Sequence, residues 1–442
     1  MKIFGGVSAL ALLGLVACSS VESRADEGDL ASTSSALASE NHLPLPQPGP
    51  LTQPAPFAAG ATIPAVNLLP FDQTHAEEQV PPIPAFPQRV IRYPGAYPSF
   101  QAAVDAAPDG ALIRIAPGTH AASAFIANKR LFIAGAGVNA TRLVGASPQQ
   151  NVPPAIFTMG AGADVVLHGV TLSTSGAAIV GASGNGPSPS LAAKDVAIQS
   201  ASRAISGDFG AIVVHSLTAS STVDDAINVR GTSLAAFRRV TLNGSDNGKT
   251  VVIDNTTRRA SLPCIVRVVD SVFKSGGKGG LAVLGGECPV YITRTRVEDA
   301  SVFGIGLFEV PFARLLQVDI LRTKGVKNPA RPPAAPPEWG DGLFLWASDA
   351  QVDGARIDRS NRAGVSVFGC AESGRPSRLA LTGSELTCNS FPINVESHDV
   401  VTGASCGSGS YFLDDSSGTS CSCAGLAFVC KAESGGLSAV PK

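Results

Sequence analysis

The feature that most limits what this chain can fold into is a period. A polar or glycine residue followed by Val, Ile or Leu recurs at Val170, Val196, Leu217, Val240, Val272, Val297, Ile320, Ile357 and Leu386. The intervals are 26, 21, 23, 32, 25, 23, 37 and 29 residues. A base interval of 21 to 26, lengthened by insertions, is the spacing of a solenoid, in which each repeat packs only on its neighbours. A second apolar segment follows in each repeat: "AINV" at Ala226, "VVI" at Val251, "LAV" at Leu281, "GIGL" at Gly304, "GLFL" at Gly342, "GVSV" at Gly364 and "PINV" at Pro392. Two short strands per repeat predict an all-β chain of roughly eleven or twelve stacked parallel coils. With 47 glycines but only two tryptophans and four tyrosines, the composition suits short strands and frequent turns.

The folded part opens with "YPSFQAAVDAAPDGALIRIAPGTHAASAFIANKRLFIAGAG" from Tyr97. Phe100, Ala103, Val104 and Ala107 share one helical face behind Ser99 as N-cap, and Pro108-Asp109-Gly110 stops the helix. "ALIRI" and "LFIAGAG" then read as strands. A helix "FQAAVDAAPDG" followed by "IRIAPGTH" resembles the first turn of right-handed parallel β-helix proteins of the pectate lyase and pectinesterase superfamily. The resemblance covers residues from about Tyr93 to Asp399 and implies that the helix caps the open N-terminal end of the stack.

The chain's ends carry different information. Met1-Lys2 precedes an apolar run from Ile3 to Ala17 that ends in Leu15-Val16-Ala17-Cys18. This resembles a bacterial lipobox, which implies an exported protein lipidated at Cys18; an ordinary secretory signal is the competing reading. Ser19 after the cysteine resembles outer-membrane sorting. The expected organisation is a signal over residues 1–18, a tether over 19–90, the β-helix over 91–399 and a C-terminal cap over 400–442. The tether is rich in Pro, Ser and Ala, with "LPLPQPGPLTQPAP" and "QVPPIPAFPQ" favouring extended polyproline segments.

Without Cys18, eight cysteines remain: Cys264, Cys288, Cys370, Cys388, Cys406, Cys421, Cys423 and Cys430. An even number in an exported chain predicts disulfides, and no spacing points to a metal site. Cys264 and Cys288 lie 24 residues apart, one coil, within disulfide reach. Four cysteines in the cap (Cys406, Cys421, Cys423 and Cys430) admit three pairings among themselves. Aligning residues 225–230 on 249–254 also sets Asp225 beside Lys249 and Arg230 beside Asp254 as opposite-charge neighbours.

Candidate chemistry is sparse. The pectinesterase "GxYxE" stands here as Gly118-Thr119-His120-Ala121-Ala122, without tyrosine or acid, and neither "QDT" nor "DFIFG" occurs. Asp224-Asp225 in "TVDDAINV" resembles a polygalacturonase aspartate strand, but that family's "NTD" and "GHG" are missing. Two neighbouring carboxylates could act as acid and base if their surroundings separate their titration. A lyase-type cluster would draw on Asp246, Asp254, Asp270, Arg258 and Arg259. His398 lies between Glu396 and Asp399 near the last coil and could serve as a base. No catalytic motif is intact. Asp225, Asp254, Arg230, Glu396 and His398 are therefore the residues to test for a diverged lyase or glycoside hydrolase.

Period-2 alternation singles out another group. With Ile227, Val251, Leu281, Ile305, Leu343, Val365 and Ile393 inward, Asn228, Val252, Ala282, Gly306, Phe344, Ser366 and Asn394 turn outward. The next outward row is Arg230, Asp254, Leu284, Phe308, Trp346, Phe368 and Glu396. Phe308, Trp346 and Phe368 fall on three consecutive coils with Phe344 alongside. Such a strip suits stacking on sugar rings or on a partner's apolar surface. The insertion over residues 323–340 could instead fold back and bury it, or form one wall of a groove with Glu338, Trp339 and Asp341 at its rim.

The sequence reading is thus an exported, lipid-anchored envelope β-helix, sorted to the outer membrane. It binds a polysaccharide or an envelope surface partner through Phe308, Phe344, Trp346 and Phe368, without catalysis and without metal or cofactor. A net charge of −2 gives no attraction for nucleic acid.

Overall fold

A computed structural model describes residues 89–145, 155–182, 184–245, 247–256, 264–327, 338–369, 376–396, 411–415, 418–424, 426–428, 430 and 432–433. Cys18, tether residues 19–88, Asp246, Arg258, Arg259, Cys370, His398, Asp399 and Cys406 lie outside them.

Two sheets carry the fold, one of 22 strands and one of 12. In the 12-stranded second sheet every strand pairs in parallel with the strand one coil before and the strand one coil after, from Ala124–Ile126 to Ala432–Glu433. This is a parallel β-helix, and the second sheet has the register that alternation predicts. Ile227, Val251, Leu281, Ile305, Leu343, Val365 and Ile393 stack in one column inside the core. A glycine one residue earlier recurs at Gly280, Gly304, Gly342 and Gly364. A Cβ on Gly304 would stand 2.3 Å from Ile320 Cγ2, so a side chain at this position would collide where the two sheets approach.

The first sheet bends once per coil. Gly169, Asp195, Ser216, Arg239, Asp270, Arg294, Gln317, Gly354 and Gly383 hold left-handed φ of 45–63° at one stacked position. Left-handed backbone is unfavourable for a non-glycine residue. Ladder bonds such as Asp270 N–H to the Thr293 carbonyl (3.1 Å) and Arg294 N–H to that of Leu316 (2.9 Å) hold the bend in place. From Asp164–Ser173 to Leu234–Ser245 one long strand spans the bend. From Ile265–Val269 and Val272–Gly276 onward it splits into two strands. The split corrects the repeat alignment. Val170, Val196, Leu217 and Val240 do stack, as do Val297, Ile320, Ile357 and Leu386. Val272 stacks with neither group: it pairs with Thr241 and Arg296, because buried Ser271 takes the position after the bend.

The N-terminal end is closed as the sequence indicates. Helix α1 (Phe100–Ala106) is capped by the Ser99 hydroxyl, which accepts the Ala102 N–H, and it buries Phe100, Ala103 and Val104. The Phe100 ring meets Tyr93 at 5.1 Å and Phe157 at 5.9 Å.

At the other end parallel stacking continues past residue 399. Tyr411–Asp415 lies on Ser377–Thr382, and Ser420–Cys423 lies on Glu385–Thr387. Cys421 stands in the core column after Leu386, so a cysteine fills an apolar place and hides this coil from an alternation search. Leu426–Phe428 then turns back antiparallel on Ser420–Cys423. Cys264–Cys288 is a disulfide with Cα atoms 4.9 Å apart. Among the described residues the other bridges are Cys388–Cys423 and Cys421–Cys430. Cys423 therefore pairs outside the cap's own four cysteines, because stacking of Thr387 on Ser422 brings it beside Cys388.

Candidate functional site

The outward aromatic row stacks in the predicted register, Leu284 on Phe308 on Trp346 on Phe368. These rings are nevertheless buried: Phe308, Phe344, Trp346 and Phe368 are 6, 3, 6 and 0% exposed. Rings on adjacent coils pack on one another, Phe344 on Phe368 at 5.1 Å and on Phe308 at 5.4 Å. Glu338–Trp339 returns antiparallel to Val326–Lys327 and sets Trp339 against Phe344 at 5.8 Å. Asp341, expected at a groove rim, is fully buried, with the Arg362 Nε–H donating to its Oδ1 at 2.8 Å. The Arg362 guanidinium also lies over Trp339 and Phe368, at 5.8 and 5.6 Å. The four aromatics expected to bind ligand are thus the interior of a second apolar cluster.

The acidic candidates are drawn into backbone structure. Asp225 Oδ1 accepts the Lys249 backbone N–H at 2.7 Å, and its Oδ2 accepts Asn228 Nδ2–H at 2.7 Å. Burial pushes the Lys249 ammonium below its ordinary range, against the pull of Asp225. Asp254 accepts the N–H and hydroxyl of Thr256 at 3.0 and 2.6 Å. Arg230 does stack on Asp254 along the backbone, but its guanidinium pairs with Asp208 at 2.9 Å, one coil earlier. Glu396 is 2% exposed. The structure brings none of Asp225, Asp254 and Glu396 together as an acid–base pair.

A polar column absent from these expectations lies on the outer face of the first sheet. Arg267, Tyr291, Arg314 and Gln351 stack on four consecutive coils. The residues flanking them along each strand, Val266 and Val268, Val290 and Ile292, Ala313 and Leu315, Ala350 and Val352, all point into the core. Asp353 joins the column two residues beyond Gln351. Its carboxylate meets the side chains of Arg314, Thr382 and Gln351, with Arg314 Nη2 at 3.5 Å.

Burial dominates titration along this column. It pushes the Asp353 carboxyl above the ordinary carboxylate range despite Arg314 and those hydrogen bonds. It raises the Tyr291 phenol against Arg267 and Arg314, and lowers Arg267 against Tyr291. The Cys264–Cys288 bridge sits three residues before Arg267 on one coil and three before Tyr291 on the next, fixing their register. A signal was available in the sequence: residues 267, 291, 314 and 351 are 24, 23 and 37 apart, close to the repeat intervals.

Beyond the bend, charges on the same sheet pair with one another. Lys274 meets Glu298 at 3.2 Å, Arg296 meets Asp319 at 3.0 Å, and Arg322 meets Asp299 at 3.0 Å. The hydrogen bond from Arg322 holds the Asp299 carboxyl below its usual range.

No known protein family and no curated protein matches this sequence. Solved structures do match. The periplasmic alginate epimerase AlgG aligns with a TM-score of 0.50 and 11% identity over 76% of this chain and 85% of its own. The fold is a right-handed parallel β-helix. The catalytic domain of a GH87 alpha-1,3-glucanase aligns with a TM-score of 0.47, 13% identity, and coverage of 77% of this chain and 70% of its own. The A-module of the Azotobacter vinelandii mannuronan C-5 epimerase AlgE4 gives 0.39, 13%, 74% and 85%. Identity at this level speaks for shared architecture, and function has to be argued from the site.

Proposed function

We propose that this chain is an exported, lipid-anchored β-helix protein that binds polysaccharide along the outer face of its first sheet. The observation that carries the reading is the column Arg267, Tyr291, Arg314 and Gln351, repeated at one outward register on four successive coils. Parallel coils repeat at about 4.8 Å, so the column sets a phenol, two guanidiniums and an amide along a line, a spacing that fits an extended chain better than a compact ligand. Guanidiniums and an aromatic edge recognise hydroxyl and acidic groups on sugars. AlgG, whose fold is similar, is by its name an alginate epimerase, which favours a glycan as the partner.

Binding without turnover is the primary reading. Catalysis is the second, favoured by the raised Asp353 carboxyl beside Arg314, since perturbed titration clusters at reactive sites. Phe308, Phe344, Trp346 and Phe368 serve in this reading to hold the fold. The lipid at Cys18 and outer-membrane placement complete the proposal.

The test uses the full-length protein in detergent, run through gels containing polygalacturonate, alginate or neutral dextran, with release of new sugar ends followed in parallel. Retention that is lost in Arg314→Gln, with no new ends, supports the binder. New ends that vanish in Asp353→Asn establish the second reading. Equal migration in all gels sinks both. Recovery of Cys18→Ser in the soluble rather than the membrane fraction checks the anchor.

A further inference from the structure

The outer face of the second sheet carries two rows of charge before the aromatic cluster begins. Ile205, Ile227 and Val251 stack on three consecutive coils and point into the core. Arg203, Asp225 and Lys249 stand two residues before them, at the corner that leads into the sheet. Asp208, Arg230 and Asp254 stand three residues after them. Asn228 Nδ2–H donates to Asp225 Oδ2 at 2.7 Å, which sets Asp225 on the outward face with Asn228. Along the stack the first row reads positive, negative, positive, and the second reads negative, positive, negative.

Between the rows runs a neutral column, Phe125, Thr158, Val180, Ser206 and Asn228, on five consecutive coils. Phe125, at its N-terminal end, is 56% exposed. The Gln101 side-chain amide accepts the Phe125 N–H at 2.7 Å and donates to the Phe125 carbonyl at 3.1 Å. That peptide is closed to strand addition, and the ring is what this end of the column presents. The outer charges meet partners in their own chain without leaving water. Arg230 lies 2.9 Å from Asp208, with side chains 53 and 27% exposed. Arg203 lies 3.3 Å from Asp224, with side chains 45 and 46% exposed. Lys249 is half-buried and Asp254 is buried, so the accessible part of the face ends there.

We infer that this face joins a second copy of the chain across a two-fold axis that runs along the stack, over the neutral column. Such an axis sets each residue of one row against the other row on the same coil of the second copy. Arg203 then meets Asp208, Asp225 meets Arg230 and Lys249 meets Asp254, all of opposite sign and each contact made twice. A two-fold axis across the stack at the Asp225 coil would instead oppose Arg203 to Lys249. The two Phe125 rings meet on the axis and bury their exposed faces. Five coils at about 4.8 Å by about five residues at about 3.3 Å give each copy a face of about 400 Å², so the pair is weak and concentration-dependent. Both α1 caps lie at the same end of the pair, the arrangement that two chains anchored in one membrane need. The inference is independent of the glycan reading, which concerns the other sheet.

Sedimentation of the full-length protein in density-matched detergent, from about 1 to about 100 µM, tests the pairing. Wild type is expected to move from the mass of one chain toward that of two, and about 0.5 M salt should reverse the change. Arg203→Asp and Asp208→Arg, each at a solvated position, set like charges against one another and should weaken pairing at least about tenfold, with circular dichroism unchanged. An equal mixture of the two variants should pair again, because every reversed charge then faces its opposite. Wild type that stays a single chain throughout, or variants that pair as wild type does, overturns the inference. Folded variants that lose pairing and do not regain it on mixing overturn the axis along the stack.

Discussion

Two faces of the same coils point outward by the same alternation and meet different fates. On the second sheet Phe308, Phe344, Trp346 and Phe368 pack on one another and on Trp339 until almost no surface is left. On the first sheet Tyr291, Arg314, Gln351 and Asp353 are nearly as shielded, at 7, 6, 7 and 6% exposed. Stacked rings gain dispersion and lose water, so their burial is an end state that stabilises the fold. Stacked charges lose hydration and recover only part of it from one another. Their titration then departs from the ordinary range, as at Asp353, and a ligand carrying complementary groups has something to gain. Orientation comes from the strand, whereas availability for binding depends on which side chains stack there.

The largest effects should fall on the aromatic face. Asp341→Ala leaves Arg362 buried without its carboxylate and should cost about 3–5 kcal/mol, read from denaturant midpoints. Phe344→Ala should cost about 3 kcal/mol or somewhat more through the cavity it leaves, with glycan retention unchanged. If Phe344→Ala lost retention while keeping stability, the contrast between the faces would collapse.

Arg314→Gln should behave in the opposite way, weakening glycan retention about tenfold through a lost charged hydrogen-bond donor.

Two carboxylates sharpen the contrast through pH. The folded-state pKa of Asp299 lies below its unfolded value, so its contribution is present above about pH 4 and lost as pH falls through the folded value. Asp299→Asn should therefore cost stability at pH 7, with the cost fading in acid. The folded-state pKa of Asp353 lies above its unfolded value, so its contribution is present below about pH 4 and lost as pH rises through the folded value. The stability of Asp353→Asn relative to wild type should accordingly rise from pH 4 to pH 7. Parallel responses of the two variants would remove the distinction between a solvated ion-pair face and a desolvated column.

The smallest effect belongs to Lys274→Ala, which breaks a partly exposed contact with Glu298 and should cost less than about 1 kcal/mol. Salt should erase most of that difference in a denaturation series.

Much of the architecture was legible in the sequence. The spacing of apolar segments, the inward column from Ile227 to Ile393, the helical cap and the Cys264–Cys288 bridge all follow from period and alternation, which are local and repeat along the chain. Tertiary structure decided the rest. It turned Arg230 to Asp208 rather than Asp254, stacked Cys423 on Cys388, and set Val272 off its expected column. It also buried the aromatic row and gathered Arg267, Tyr291, Arg314, Gln351 and Asp353 into one polar column. A strand's alternation states only which way a side chain points. Whether that side chain meets water, a neighbouring coil or a returning segment depends on residues far away in sequence, and only the assembled solenoid brings those together.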